Sequence, residues 1–284
     1  MIQFRRLDRI ETLYRRAIDE FLRNLKPALP GEDLQGWLFS LEELSRHDEV
    51  VALGARIASR MVHHVNVENA KTWRDAARRS TRSQHLYRLL MDELSSRTGT
   101  RIDEMIAENS RLISSVPAEV AWTLTREIAR AQQKGARAET ITKMLRHRLP
   151  ELTRSRVHLI SRTEVAKTST ALTQARSEDL DLQFYIWRTS EDRRVRTSHR
   201  NMDGVVVPWA NPPSPEALIG EKSTLGHYHS GQAPNCRCTQ LVVLSLEDVF
   251  RGRSSARVYD GNRIVRMTRA QFARFTGIPS RVAA

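Results

Sequence analysis

The chain has 284 residues, enough for one large domain or two ordinary ones, and two fits the usual domain size of roughly 100–200 residues better. It carries 46 Lys and Arg against 33 Asp and Glu, a formal net charge of +13, so polyanions, nucleic acid foremost, are the expected partners. No apolar run approaches the roughly 20 residues that span a bilayer, and the first six residues lack the apolar core of a signal peptide, so neither a membrane anchor nor export is expected.

In residues 5–26, Leu7, Ile10, Tyr14, Ile18, Phe21 and Leu25 recur at spacings of three and four, which gathers them on one helical face with the arginines opposite. Pro27 should end that helix, and Pro30-Gly31 should turn the chain. From residue 33 to about 97 the apolar positions stay helical: Leu41, Leu44, Val51, Leu53, Ile57, Met61, Val65 and Trp73, then Leu86, Leu89, Leu90 and Leu94. No proline falls between Pro30 and Pro117, which favours several helices over any sheet. Residues 102–116 continue as helix, Pro117 opens another to about residue 133, and Lys134-Gly135 reads as its C-terminal cap. Residues 138–149 predict a short helix ending at Pro150, and residues 152–180 a long one.

After that the pattern changes. Residues 184–188, 204–208 and 239–244 read as strands, and Asp260-Gly261-Asn262 sets up a hairpin between Val258-Tyr259 and Arg263-Ile264-Val265. Thr268 with Gln271 is a capping box opening a last short helix. The expected fold is α+β: a helical region over residues 1–100, a module over 101–244 with a short antiparallel sheet and a long Pro/Gly-rich loop, and a C-terminal hairpin and helix over 245–284. That loop, residues 210–235, holds Pro212, Pro213, Pro215, Pro234, Gly220, Gly226 and Gly231, and a loop so long inside a domain usually carries function or is pinned.

The chemistry crowds between Trp187 and Cys238. Both cysteines of the chain, Cys236 and Cys238, end this stretch, and His199, His227 and His229 lie within about 40 residues of them. One residue apart on an extended chain, the two thiols project from one face, where they can share a tetrahedral zinc completed by His199 with His227 or His229. The competing reading is two small buried hydrophobes at the start of a strand. A disulfide between them would be strained and close almost no loop. Asp192, Arg193, Arg194, Arg196 and His199 together can form a phosphate-binding or catalytic group, or an ion pair that pins the loop, with His199 satisfying a backbone group. No nucleophile elbow, phosphate-cradling glycine loop or His-Glu-x-x-His helix is present, so catalysis has little support. Arg162 and Glu164 sit mid-helix, where Glu164 can pair with Lys167 or a buried arginine, or simply face solvent. Arg74, Arg78, Arg79, Arg82, Arg146 and Arg148 form basic helical stripes suited to sequence-independent phosphate contact, or to solvated helix faces.

Taken in order, Ile160-Ser161-Arg162-Thr163-Glu164, Ala171, Arg176, Trp187, Asp192 through Arg196, His199, Asp203-Gly204 and Pro234-Asn235-Cys236-Arg237-Cys238 resemble the minor head proteins of tailed phages typified by the F protein of phage Mu. The likeness spans residues 101–244, about half of the chain. Many relatives carry a histidine just before the proline, where this chain has Ala233. The resemblance implies a head-morphogenesis protein, present in few copies near the portal vertex inside the virion head and in the host cytoplasm during assembly. Its implied partners are the portal, capsid and scaffold proteins and, non-specifically, double-stranded DNA. The rival expectation is a metal-dependent hydrolase of nucleic acid or protein, with His199, Cys236 and Cys238 holding the metal and Asp192 or Glu164 as base.

Overall fold

The computed structural model describes residues 1–4, 6–25, 33–79 and 97–277. The expected stop at Pro27, the Pro30-Gly31 turn and the apolar positions Leu86, Leu89, Leu90 and Leu94 lie outside them. The chain forms two compact units, each assembled from separated stretches. One, here the helical unit, comprises Asp8–His64 and Asp103–Val165; the other, the sheet unit, comprises Met1–Leu7, Val65–Ile102 and Ala166–Ala284. This division differs from the three consecutive segments expected, because long helices carry the chain from one unit into the other and back.

In the helical unit, α1 (Asp8–Asn24) buries Ile10, Tyr14, Ile18, Phe21 and Leu22, the predicted stripe with Leu22 added. The Asp33 carboxylate accepts the Gly36 N–H at 2.8 Å and so caps α2 (Leu34–Leu44), whose Trp37 and Leu41 are buried. Helix α3 (Asp48–Arg79) gives its first part to this unit, burying Ala58, Met61 and Val62, and α4 (Arg97–Ser114) contributes Ile113. Pro117 lies in the first turn of α5 (Val116–Gln133), where an N–H would have no helical partner anyway. That helix packs on α2 and buries Val120, Leu124 and Ile128. Gly135, at φ +76°, supplies the left-handed turn that ends it.

Helix α6 (Ala138–Asp179) is one element of 42 residues with Pro150 inside it, not the two helices expected. A proline removes its own bond to the carbonyl four residues back and its ring crowds that carbonyl, a cost of about 3 kcal/mol. Buried Leu145 before it and Val157 and Ile160 after it anchor both sides, so packing overrides the local penalty.

The sheet unit is built on β1 (Ile2–Gln3), β2 (Phe184–Arg188), β3 (Val206–Pro208), β4 (Thr239–Val242), β5 (Ser255–Tyr259) and β6 (Ile264–Thr268), in the order β1-β4-β2-β3-β5-β6. Every neighbouring pair is antiparallel except β3 and β5, which run parallel with Val206 opposite Val258. The expected antiparallel sheet is therefore mixed, and the C-terminal hairpin belongs to it. Tyr185, Trp187, Val207, Val242 and Tyr259 point to one core, which includes Trp73 of α3 and Phe4. Phe184, Ile186, Val206, Leu241 and Val258 point to the other, under Phe250 of α8 (Leu246–Phe250) and Phe272 of α9 (Arg269–Thr276). Cover on both faces explains the unbroken apolar run of β2.

Polar groups inside this unit are paired. Arg176 is buried, and its guanidinium donates to Asn69 Oδ1 at 2.5 Å and Asn66 Oδ1 at 2.6 Å, joining α6 to α3. The Gln240 amide donates to Thr170 Oγ1 at 3.0 Å, to Ser230 Oγ at 2.7 Å and to the Ser230 carbonyl, holding the Pro/Gly-rich loop against α6. At Gly231, with φ +89°, a Cβ would lie 2.5 Å from Thr170 Oγ1, so glycine is required there. Thr268 and Gln271 form the predicted capping box of α9.

Candidate functional site

The site grows from the chain after β2. The Asp203 carboxylate accepts the Thr189 N–H at 2.9 Å and the Thr189 hydroxyl at 3.2 Å, closing this excursion at its base. Gly204, at φ +75°, returns the chain by donating to the Trp187 carbonyl at 2.9 Å. Asp192 accepts the Arg194 N–H at 2.9 Å, the Ser190 hydroxyl at 3.1 Å and the Arg237 guanidinium at 2.6 Å, and these donors, the Arg194 amide first, hold its carboxyl below the usual range. Arg196 donates to the Pro234 carbonyl at 2.7 Å. Two arginine contacts thus clamp the Cys-Arg-Cys segment to the start of α7 (Thr197–Met202), which carries His199. This is the ion pair that pins the loop, one of the two readings of Asp192.

His199, Cys236 and Cys238 converge, each buried, with their ligand atoms within 4.8 Å of one another. His199 Nδ1 lies 3.6 Å from Cys236 Sγ and 3.4 Å from Cys238 Sγ. Both cysteines are free thiols, placed just before β4 instead of on it. One thiol of the pair ionises well below the ordinary value because the other donates to it and His199 lies beside it, while ionisation of the second is opposed by that charge and by burial. The opposite ring nitrogen, His199 Nε2, is 2.9 Å from the Tyr228 hydroxyl, which donates to Glu216 at 2.8 and 2.9 Å. Ser198 also donates to Glu216, at 3.1 Å. His199 therefore answers to side chains, not to the backbone group expected. Burial, and then the Glu216 carboxylate, push the Tyr228 phenol far above its ordinary range.

Proton counting fixes one side of the imidazole. Tyr228 has a single hydroxyl proton and gives it to Glu216, whose carboxylate oxygens only accept. Nε2 then carries a ring proton, donated to the Tyr228 oxygen, and Nδ1 is the nitrogen that faces the two sulfurs, with its lone pair available to a ligand in the neutral ring. Spacing did not reveal Tyr228 or Glu216; Tyr228 stands between the two histidines singled out, while Glu216 has no local signature.

The remaining predicted residues lie elsewhere. His227 is exposed with Nδ1 against the Pro212 carbonyl at 2.9 Å. His229 is buried between Tyr185 and Trp209, with Nδ1 3.2 Å from the Tyr185 hydroxyl, and burial pulls it down to about 4. Neither joins the thiols, which corrects the expected fourth ligand. In the helical unit, Arg162 pairs with Glu11 at 3.2 Å, and Glu164 is buried instead of facing solvent. Burial and then the Glu164 charge raise the Tyr14 phenol, which lies near it. Among the expected DNA contacts, Arg74, Arg78 and Arg146 are exposed, while Arg82 and the Arg79 side chain lie outside the described residues. Arg148 pairs with Glu127 at 2.7 and 3.1 Å and with Glu151 at 2.6 Å, partners that compete with phosphate for its guanidinium.

Residues 122–241, from α5 to β4, match the phage Mu protein F like protein family. The Mu F-like segment holds the whole clamp: Trp187, Asp192, Arg196, His199, Glu216, Tyr228 and both cysteines. The chain is also 31% identical over 144 residues to an uncharacterized protein of Haemophilus influenzae, a match covering 51% of this chain and 30% of the relative. The chain thus spans about a third of that relative's length. No solved structure matches. Among the described residues, no helix is long and apolar enough to cross a membrane.

Proposed function

We propose that this chain is a structural protein of a phage head, acting in head morphogenesis near the portal and meeting packaged DNA through its sheet unit. The Mu F-like match supports the head assignment. The observation that carries the DNA contact is the division of charge. The sheet unit holds 27 Lys and Arg against 15 Asp and Glu, while the helical unit holds 19 against 18, so nearly all of the net +13 belongs to one unit. On its surface, Arg253 and Arg266 are exposed and have no ion-pair partner among the described residues. Arg266 stands directly opposite Arg257 across β5 and β6, a like-charge pair that disfavours the free sheet and that a polyanion relieves. Burial and then Arg266 lower Arg257, whose guanidinium is held by the Asn201 and Asp203 carbonyls at 2.7 and 3.1 Å. Docking to portal, capsid or scaffold proteins fits the same reading, and the Cys-His cluster serves as architecture.

Duplex DNA binding measured against salt tests the contact. Arg253→Glu with Arg266→Glu should weaken binding about tenfold or more at low salt and flatten the salt slope by about 0.9 for each phosphate that is no longer neutralised. Arg130→Glu with Arg137→Glu in the helical unit should do much less; equal losses from both pairs would remove the sheet unit from the proposal. Co-purification from assembling particles tests the head assignment, and recovery only in the soluble fraction, free of portal and capsid, would sink it.

The hydrolase reading fits less well. The three candidate ligands are 2, 3 and 5% exposed, too enclosed for a macromolecular substrate. Asp192 is engaged by Arg237, and Glu164 belongs to the other unit.

A further inference from the structure

We infer that His199 Nδ1, Cys236 Sγ and Cys238 Sγ bind one zinc ion, with the protein supplying three ligands and a small exogenous donor, such as water, the fourth. This site is independent of the phage-head proposal, since it concerns the isolated chain.

The distances match zinc. Tetrahedral zinc with Zn–S near 2.3 Å and Zn–N near 2.0–2.1 Å places its sulfur and nitrogen ligands about 3.6 Å apart. The two Nδ1 to Sγ separations are 3.6 and 3.4 Å, so the ligands already stand at the edges of such a tetrahedron. The Nδ1 atom also points the right way. The chain from Glu216 through Tyr228 occupies Nε2 and leaves Nδ1 turned toward both sulfurs, the nitrogen placed to ligate. Carboxylates that orient a ligating imidazole through its other nitrogen recur around zinc.

The surroundings of the sulfurs favour thiolate. The Cys238 N–H donates to Cys236 Sγ at 3.4 Å, a contact that stabilises negative sulfur. The Trp187 indole N–H is buried without a well-aligned hydrogen bond and lies beside Cys238, where its positive end does the same. Two thiolates in so enclosed a place need a compensating cation. Sulfur and imidazole together select zinc over the hard cations, which prefer oxygen. His227 and His229 are turned to other partners, which leaves the fourth position to solvent or a small solute. A metal here would cross-link α7 to the approach to β4 and close the Pro/Gly-rich loop between them, stabilising the folded state against a chain that lacks the preformed site.

Elemental mass spectrometry of the full chain, purified under reducing conditions with zinc supplied during expression, should find one zinc per chain. Exchange into cobalt should produce thiolate-to-metal charge-transfer absorption. Cys238→Ser should lose both signals, His227→Ala should keep both, and Tyr228→Phe should retain the ligands but weaken zinc affinity about 10–100-fold. Circular dichroism establishes that each variant is folded, and if Cys238→Ser unfolds, the unmodified chain and Tyr228→Phe still decide. A folded unmodified chain with neither stoichiometric zinc nor cobalt–thiolate absorption overturns the inference. Loss of zinc in His227→Ala overturns the three-ligand set, and unchanged affinity in Tyr228→Phe overturns Nδ1 as a ligand.

Discussion

The helical unit and the sheet unit carry very different net charge. The helical unit is nearly neutral, with 19 Lys and Arg against 18 Asp and Glu, and Arg148 pairs with Glu127 and Glu151, Arg156 with Glu119 and Arg162 with Glu11, around apolar Ile18, Val62, Ile113 and Leu124 and buried Asn109 and Glu164. In the sheet unit, Arg176, His199, His229, Glu216 and Gln240 are buried within networks, while surplus arginines face outward. The difference teaches that the cationic surplus and the Cys-His cluster occur together in one unit, while the other holds its charges close to balance.

The sharpest test of that contrast removes one core side chain from each. Trp187→Ala should cost about 3–5 kcal/mol and raise hydrogen exchange first in β2 and β4, whereas Leu124→Ala should cost about 2–5 kcal/mol and raise it first in α5 and α2. If both variants loosen the same amides, the units are not distinct in stability.

Acid should separate the units next. His229 is neutral in the fold because burial holds it down to about 4, while the unfolded chain takes a proton below about 6.5. Its contribution is present above pH 6.5 and is lost as pH falls through that window toward 4, at most about 3 kcal/mol. The difference in denaturant stability between the natural chain and His229→Gln, followed from pH 7 to pH 4, should narrow accordingly; a constant difference would show that His229 does not titrate with folding. The smallest expected effect is at the sheet unit's last helix, where Thr268→Ala removes the hydroxyl that accepts the Gln271 N–H. It should cost about 1 kcal/mol, read from chemical denaturation.

What was legible in the sequence follows the range of the interactions. The stripe from Ile10 to Phe21, the strand at Phe184, the Asp260-Gly261-Asn262 hairpin and the Thr268 box are local patterns, and they fold as read. Convergence of His199 with Cys236 and Cys238 was among the expectations because few donors were available to meet. Pairing at Ile2–Gln3 was not visible, since two residues carry no alternation, and the parallel pairing of β3 with β5 depends on contacts some 50 residues apart. The break expected at Pro150 does not form, because the buried residues on either side, Leu145, Val157 and Ile160, are not visible as a local pattern. Tyr228 and Glu216 escaped because their role comes from one hydrogen bond reaching His199 from a distant loop.

Among the described residues strand β6 ends one side of the sheet, and Arg266 on it and Arg263 just before it are exposed. An open strand edge invites another copy to extend the sheet, and cationic side chains on it oppose that growth. Two copies meeting along this edge would set these arginines against each other, so at high local concentration the chain resists fibre-like polymerisation through β6, and the repulsion weakens as added salt screens it.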